Sequence, residues 1–221
     1  MPWTAGYAAQ SKPGDGSELR PRIGLLVVPG TIDALRVPGS RRQPGMIASA
    51  RVTAEEMVAA VSSLAAIPTT CIIPGPERLS HELTAVDWVE IFRKIQNVLD
   101  CDAIDGIVVT HGTNNLEEIT YFLSLTVKST KPVVVTGAML PWNNVGTDGT
   151  SNLINAIRVA ASEHSRSHGV LVAFGRDVFS PRTATKISTL AHVPQLRSRL
   201  TPYQHLQRQV QARLDVSMGT T

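Results

Sequence analysis

The stretch Ile107-Val-Val-Thr-His-Gly-Thr-Asn-Asn-Leu-Glu-Glu118 decides the fold of this chain. It begins as an apolar run, which is typical of a strand covered on both faces of a sheet. Gly112 permits a sharp turn, and the asparagines after it can cap a helix whose first turn carries two glutamates. The stretch therefore predicts strand, turn and helix, with Thr113 at the carboxyl end of the strand. Open α/β sheets bind ligands at that end.

The same alternation of strand and helix extends along the chain in both directions. The predicted strands are Ile23–Val28, Cys71–Ile73, 106–110, 133–137 and 169–174. The predicted helices are 53–64, Ala85–Leu99, 116–127 and 151–162. Such alternation is typical of an α/β fold with a mostly parallel sheet and helices on both faces. Residues 195–215 resume helical spacing, with apolar residues interleaved with arginines.

Composition limits the possible partners. The chain has 221 residues, 43% hydrophobic and 18% charged, and its net charge is +3. The chain has no dense run of Lys and Arg, and only 5% of its residues are aromatic. Both features argue against nucleic-acid or membrane partners. Two cysteines without metal-ligand spacing predict neither a disulfide scaffold nor a metal site, and no cofactor motif is present. Residues 1–20 lack the apolar core of a secretory signal, and no apolar run could span a membrane. We therefore expect a cytoplasmic protein.

Several motifs resemble the bacterial-type L-asparaginase/glutaminase family. The segment His111-Gly-Thr-Asn-Asn-Leu-Glu-Glu-Ile-Thr-Tyr-Phe-Leu123 is similar to its signature H-G-T-D-T-[LM]-E-E-T-A-Y-F-L. Val28-Pro-Gly-Thr-Ile32 resembles T-G-G-T-I, and Lys131-Pro-Val-Val-Val-Thr-Gly-Ala-Met139 resembles K-P-V-V-x-x-G-A-M. Thr147-Asp-Gly-Thr-Ser-Asn-Leu153 and Arg182-Thr-Ala-Thr-Lys186 also fit. The resemblance extends over about residues 22 to 190.

The resemblance implies a flavodoxin-like, doubly wound N-terminal domain and hydrolysis of L-asparagine to L-aspartate and ammonia. Thr31 would be the nucleophile that forms an acyl-enzyme, and Thr113 and Lys131 the second hydroxyl and its activator. Substrate-binding roles would fall to Ser80, Glu82 and Asn114, with Ser80 on the α-carboxylate and Asn114 on the α-amino group.

Each of these residues also has a purely structural interpretation. Thr31 could be a turn residue that caps a helix, and Lys131 a solvated charge before a strand. The segment around Ser80 reads as a helix cap, and His111 as a hydrogen-bonded structural histidine rather than a base. Residue type alone does not choose between these interpretations.

Three departures from the family pattern support an alternative function. Pro29 replaces the first glycine of T-G-G-T-I, Asn114 replaces an aspartate, and no tyrosine occurs between Tyr7 and Tyr121 to serve as the family's mobile tyrosine. The alternative is a catalytically impaired or inactive truncated homologue that acts as an amino-acid-binding or interaction domain. A subunit of a tRNA-dependent amidotransferase is a third hypothesis.

The predicted organisation has three parts. Residues 1–21 form a flexible N-terminal tail, residues 22–190 the asparaginase-like domain, and residues 191–221 a divergent, partly helical C-terminal tail. Members of the family continue into a smaller second domain that completes the active site across a dimer. We expect this chain to lack that domain, and its exposed surface makes a homo-oligomer possible.

Overall fold

The structure is a computed structural model that describes residues 21–36, 50–64, 69–187 and 196–198. The predicted tail up to residue 20, residues 37–49 and most of the predicted C-terminal tail lie outside these ranges. No helix in the described ranges is both long and apolar enough to cross a membrane.

A six-stranded sheet forms the centre of the fold. Its strands are β1 (Arg22–Val27), β2 (Thr69–Ile73), β3 (Gly106–Thr110), β4 (Val133–Thr136), β5 (Val170–Phe174) and β6 (Asp177–Phe179), in the order β2-β1-β3-β4-β5-β6. The strands β1 to β5 run parallel, and β6 pairs antiparallel with β5. The predicted α/β class with a mostly parallel sheet is confirmed.

Helices cover both faces of the sheet. They are α1 (Ala54–Leu64), α2 (Ala85–Leu99), α3 (Leu116–Thr126) and α4 (Gly149–Ala161). One core cluster joins the sheet to α2 and α3, and the other joins it to α1 and α4. Neighbouring residues of β3 divide between them, since Val109 belongs to the first cluster and Val108 to the second. This alternation explains why the run Ile107–Val109 is apolar and why β3 is buried at every position.

The connections of β4 give the fold an uncommon handedness. Both α3 and α4 link parallel strands that are added in the same direction, from β3 to β4 and from β4 to β5. The two helices nevertheless pack on opposite faces of the sheet. One of these two crossovers must therefore be left-handed, although right-handed crossovers prevail in parallel sheets.

A small second sheet modifies the prediction for the C-terminal part of the chain. The strands β7 (Ala184–Lys186) and β8 (Leu196–Ser198) pair antiparallel. The helical spacing predicted from residue 195 is thus not followed at Leu196–Ser198. Residues 199–221 lie outside the described part of the chain.

Candidate active site

The candidate site lies at the carboxyl edge of the sheet, where β1 and β3 are neighbours. The chain leaves β1 towards α1 on one face and leaves β3 towards α3 on the other. A crevice opens where neighbouring connections diverge in this way, and it is the usual ligand site of doubly wound sheets. Thr31 follows β1 and Thr113 follows β3, so both border this crevice.

The turns after β1 and β3 are in direct backbone contact. A Cβ atom built on Gly30 would lie 2.6 Å from both N and Cα of Gly112. A Cβ on Gly112 would lie 1.9 Å from Oγ of Ser80. A side chain at Gly30 would therefore meet the backbone of Gly112, and a side chain at Gly112 would displace the Ser80 hydroxyl. The turns that carry Thr31 and Thr113 therefore converge with Ser80.

Ser80 is held at this junction by its main chain. It begins a 3₁₀ turn at Ser80–Glu82, and its N–H donates to the carbonyl oxygen of Pro29 at 2.8 Å. Nδ2 of Asn115 donates to the carbonyl oxygen of Ser80, also at 2.8 Å. The side chain of Ser80 is 2% exposed and lies beside Gly112. The structure thus brings together three residues that the sequence analysis selected: Thr31, Ser80 and Thr113.

The amine beside Thr113 belongs to Lys186. Its Nζ donates to Oγ1 of Thr113 at 2.9 Å, and its backbone N–H donates to a carboxylate oxygen of Glu117. Burial lowers the pKa of Lys186 below its ordinary value, while the nearby charge of Glu117 opposes that shift. A lysine with a lowered pKa can exchange a proton with the hydroxyl that it contacts.

Lys131 occupies the opposite edge of the sheet. It precedes β4, and its Nζ donates to the carbonyl oxygens of Leu99 at 2.9 Å and Cys101 at 2.8 Å. These carbonyls lie at and just beyond the C-terminus of α2, where a cation stabilises the unpaired carbonyl groups. The geometry therefore replaces Lys131 with Lys186 as the partner of Thr113.

The two other predicted substrate-binding residues have solvent-facing side chains. Glu82 is exposed, and its Oε2 accepts the backbone N–H of Leu79 at 3.1 Å, which closes the 3₁₀ turn. This contact is a local cap, as the alternative interpretation of the segment proposed. Asn114 is exposed in the turn between β3 and α3, next to Thr113.

His111 is a buried part of the scaffold. Its Nδ1 lies 2.9 Å from the carbonyl oxygen of Gly112, and its backbone N–H donates to the carbonyl oxygen of Thr136. Burial lowers the pKa of His111 to about 4. The imidazole is therefore neutral at physiological pH and supports the turn that carries Thr113, as expected of a structural histidine.

Asp148 and Asn152 fix the neighbouring loop after β4. The carboxylate of Asp148 accepts the backbone N–H groups of Met139 and Leu140 at 3.0 Å. Asn152 donates from Nδ2 to the carbonyl oxygen of Gly137 at 2.9 Å and to Asp148 at 3.1 Å. The motif Thr147–Leu153 thus has a scaffold role beside the crevice.

The sequence reasoning missed Lys186, and a usable signal was present. Residues that precede a parallel strand lie at the amino edge of the sheet, opposite the crevice. Lys131 directly precedes the β4 run, which argues against it from sequence alone. Lys186 is the last residue of β7, and it belongs to the segment Arg182–Lys186 that matches the family.

Comparisons with known proteins agree with this geometry. The family model described as "Asparaginase, N-terminal" matches residues 22–212. L-asparaginase 2 of Bacillus subtilis (strain 168) is 35% identical over 175 residues, which are 76% of this chain and 44% of that protein. L-asparaginase 2 of Escherichia coli (strain K12) is 37% identical over 172 residues, 76% of this chain and 47% of that protein.

A solved structure gives the same result. The probable cytoplasmic L-asparaginase from Campylobacter jejuni superposes with a TM-score of 0.71 at 29% identity, over 81% of this chain and 53% of that one. The chain therefore spans about half the length of the relatives that it matches. Because the family match covers most of the described fold, including the crevice and its threonines, this chain belongs to the asparaginase family.

Proposed function

We propose that this chain contributes the hydrolytic site of an amidohydrolase that converts L-asparagine and water to L-aspartate and ammonia. The observation that carries the proposal is the 2.9 Å contact between Nζ of Lys186 and Oγ1 of Thr113. This contact supplies a hydroxyl with an amine of lowered pKa, at the edge of the sheet where ligands bind.

In the proposed reaction, the Thr31 hydroxyl attacks the carbon of the side-chain amide. The Thr113–Lys186 pair accepts the hydroxyl proton and returns a proton to the departing nitrogen, which leaves as ammonia. An ester between Thr31 and the aspartyl group remains. Water then attacks this ester, and Thr31 regains its hydroxyl proton as L-aspartate leaves.

The same reasoning assigns substrate-binding roles within the crevice. Ser80 lies at the junction of the two turns, and we propose that its hydroxyl binds the α-carboxylate of the substrate. Asn114 stands beside Thr113, and its amide oxygen would accept a hydrogen bond from the α-ammonium group. Glu82 is retained only as a residue that shapes the turn around Ser80, since its carboxylate caps that turn.

Ammonia release from L-asparagine tests the proposal directly. Wild-type protein, Thr31→Ala and Thr113→Ala are compared, with Thr185→Ala as a matched control because Thr185 is exposed and directly precedes Lys186. We expect both active-site variants to lose at least about 10²-fold in kcat, and the control to retain its rate. Unchanged rates in Thr31→Ala would refute the proposed nucleophile.

A binding function without turnover is the second candidate, and Asn114 favours it. A neutral amide gives an ammonium group no counter-charge, so binding energy and catalytic orientation would both be weaker than with a carboxylate. Calorimetric titration with L-asparagine separates the candidates. Heat of binding without ammonia release would support the binding domain, and ammonia release abolished by Thr113→Ala would exclude it.

A further inference from the structure

A partly buried ion pair holds the turn that carries Thr31. Oδ1 of Asp33 accepts the backbone N–H of Gly30 at 2.7 Å, and Oδ2 of Asp33 accepts Nη1 of Arg51, also at 2.7 Å. The same Nη1 donates to the carbonyl oxygen of Gly30 at 3.1 Å. The side chains are 3% and 23% exposed for Asp33 and Arg51 respectively. Both polar groups of Gly30 are therefore bound by one ion pair.

This arrangement sets the direction of the peptide group that precedes Thr31. The peptide is trans, so its C=O and N–H groups point in opposite directions. Because Arg51 holds the carbonyl oxygen of Gly30, the N–H of Thr31 points away from the guanidinium. Gly30 is also confined by the backbone of Gly112, so the turn has little freedom to rotate.

The guanidinium is itself held in place by a short ladder of main-chain hydrogen bonds. Val52 donates to the carbonyl oxygen of Asp33 at 2.8 Å, and Leu35 donates to that of Ala50 at 2.9 Å. Ala34 and Arg51 form an antiparallel bridge between these two contacts. The ladder places Arg51 beside the turn after β1, where its planar fork can bind a carboxylate and a carbonyl together.

We propose that Asp33 and Arg51 are positioning residues for Thr31, fixing the Gly30–Thr31 peptide so that the Thr31 hydroxyl faces the crevice. This inference rests on the proposed function. Neither residue was selected in the sequence analysis. Pro29 fits the same role, because it fixes its own φ and leaves the Gly30 N–H, bound by Asp33, as the next donor in the turn.

A positioning role differs from a purely stabilising one in what it predicts. Removing one partner of a buried ion pair destabilises the fold by about 3–5 kcal/mol, because the other charge is left unpaired. A positioning role adds a loss of rate in the folded enzyme, since displacement of a reacting group by about 1 Å can cost about 10² in rate. The loss should therefore fall on kcat and not on substrate binding. Arg51→Met retains the apolar stem of the side chain and removes the charge and both hydrogen bonds.

The kinetic test compares kcat and KM for L-asparagine in Asp33→Ala, Arg51→Met and Arg51→Lys. Arg166→Met is the matched control, because Arg166 pairs with Asp105 on the surface, away from the crevice. We expect kcat to fall by about 10- to 100-fold in Asp33→Ala and Arg51→Met, with KM changed by less than about threefold. Arg51→Lys should recover part of the rate, and the control should match the wild type.

Two results would overturn the inference. One is a kcat of Arg51→Met within about twofold of wild type. The other is a kcat loss that disappears when the variant is assayed well below its melting temperature, since that marks a folding defect.

A second measurement keeps this inference separate from the proposed function. Amide hydrogen exchange at Gly30 should become at least about tenfold faster in Asp33→Ala. The amide of Val28, which donates to the carbonyl oxygen of Thr110 at 3.0 Å, should not change. If the wild type releases no ammonia, the proposed function fails, while exchange still decides whether the ion pair holds the turn. Unchanged exchange at Gly30 would overturn the pair's role even in an active enzyme.

Discussion

Lys186 and Lys131 differ in surroundings, and this difference gives them separate expected effects. Lys186 contacts the Thr113 hydroxyl, whereas Lys131 binds two carbonyl oxygens at the end of α2. We expect Lys186→Met to lower kcat by about 10² or more. Lys131→Met should leave kcat unchanged and lower the free energy of unfolding by about 1–2 kcal/mol. Ammonia assays and urea unfolding of both variants check this. A large kcat loss in Lys131→Met would restore the original assignment.

His111 makes the stability of the fold sensitive to acid. Its pKa is about 4 in the folded chain and 6.5 when unperturbed. Below pH 6.5 the unfolded chain therefore binds a proton that the folded chain does not. The free energy of unfolding decreases as the pH is lowered from about 6.5 to about 4. Through this group, lowering the pH from 7 to 5 should reduce the free energy of unfolding by about 2 kcal/mol.

Urea unfolding at the two pH values measures this effect. The pH-dependent loss should be smaller by that amount in His111→Asn than in the wild type. The exposed His81 provides the control, and His81→Asn should keep the wild-type dependence. Equal pH dependence in all three proteins would contradict a neutral, buried His111.

Asn114 is the position at which a single charge should matter most for binding. If it faces the α-ammonium group of the substrate, Asn114→Asp restores a counter-charge, and charged hydrogen bonds are about twice as strong as neutral ones. We expect tighter L-asparagine binding by about 1 kcal/mol, measured by calorimetric titration. Equal or weaker binding would show that Asn114 does not bind the ammonium group.

At the scale of elements, the contact between the turns after β1 and β3 depends on glycine. A Cβ on Gly112 would lie 1.9 Å from Oγ and 3.1 Å from Cβ of the buried Ser80. Gly112→Ala should therefore destabilise the fold by about 1–3 kcal/mol and weaken substrate binding. Adding Ser80→Ala removes the closest atom and should recover part of the stability.

Gly149→Ala is the matched control for this prediction. Gly149 begins α4, and the nearest atoms to an added Cβ lie at 3.4 Å, an ordinary contact. Alanine is also the better helix former, so this variant should be neutral or more stable by up to about 1 kcal/mol. Thermal melts of the variants decide the matter. If Gly112→Ala has the same melting temperature as the wild type, the turns are not in close contact.

Element-scale features were largely predictable from the sequence, because hydrophobic periodicity fixes them locally. The predicted strands and helices agree with β1 to β5 and α1 to α4 to within a few residues. The strands β6, β7 and β8 have only three residues each, too few to show a period.

The contacts that build the site were harder to predict. Lys186 meets Thr113 across 73 residues of sequence, and Arg51 meets Asp33 across 18. No local pattern reports such pairs, and residue type suits Lys131 as well as Lys186. Strand polarity supplies part of the missing information, because it places Lys131, before β4, at the edge of the sheet opposite the crevice.

At the scale of the whole molecule, we expect slow turnover by this chain. It has Pro29 and Asn114 where the family has glycine and aspartate. Loss of one positioned partner costs about 10²–10⁴ in rate, so kcat for L-asparagine should be below about 0.1 s⁻¹, against a median of about 10 s⁻¹ for enzymes. Steady-state ammonia release measures it, and a rate near that median would contradict the expectation.

The strand order also has a consequence for folding during translation. Ile23 in β1 pairs with Gly106 in β3, so β1, the first strand of the described residues, is synthesised well before its partner β3. At translation speeds of about 5–20 residues per second, the delay is roughly 4–16 s. During that time the apolar β1 has only β2 to cover one of its edges. Codon usage in the segment between β1 and β3, and chaperone binding to that segment, should therefore affect the yield of folded protein. The same factors should matter less in the segment after β5.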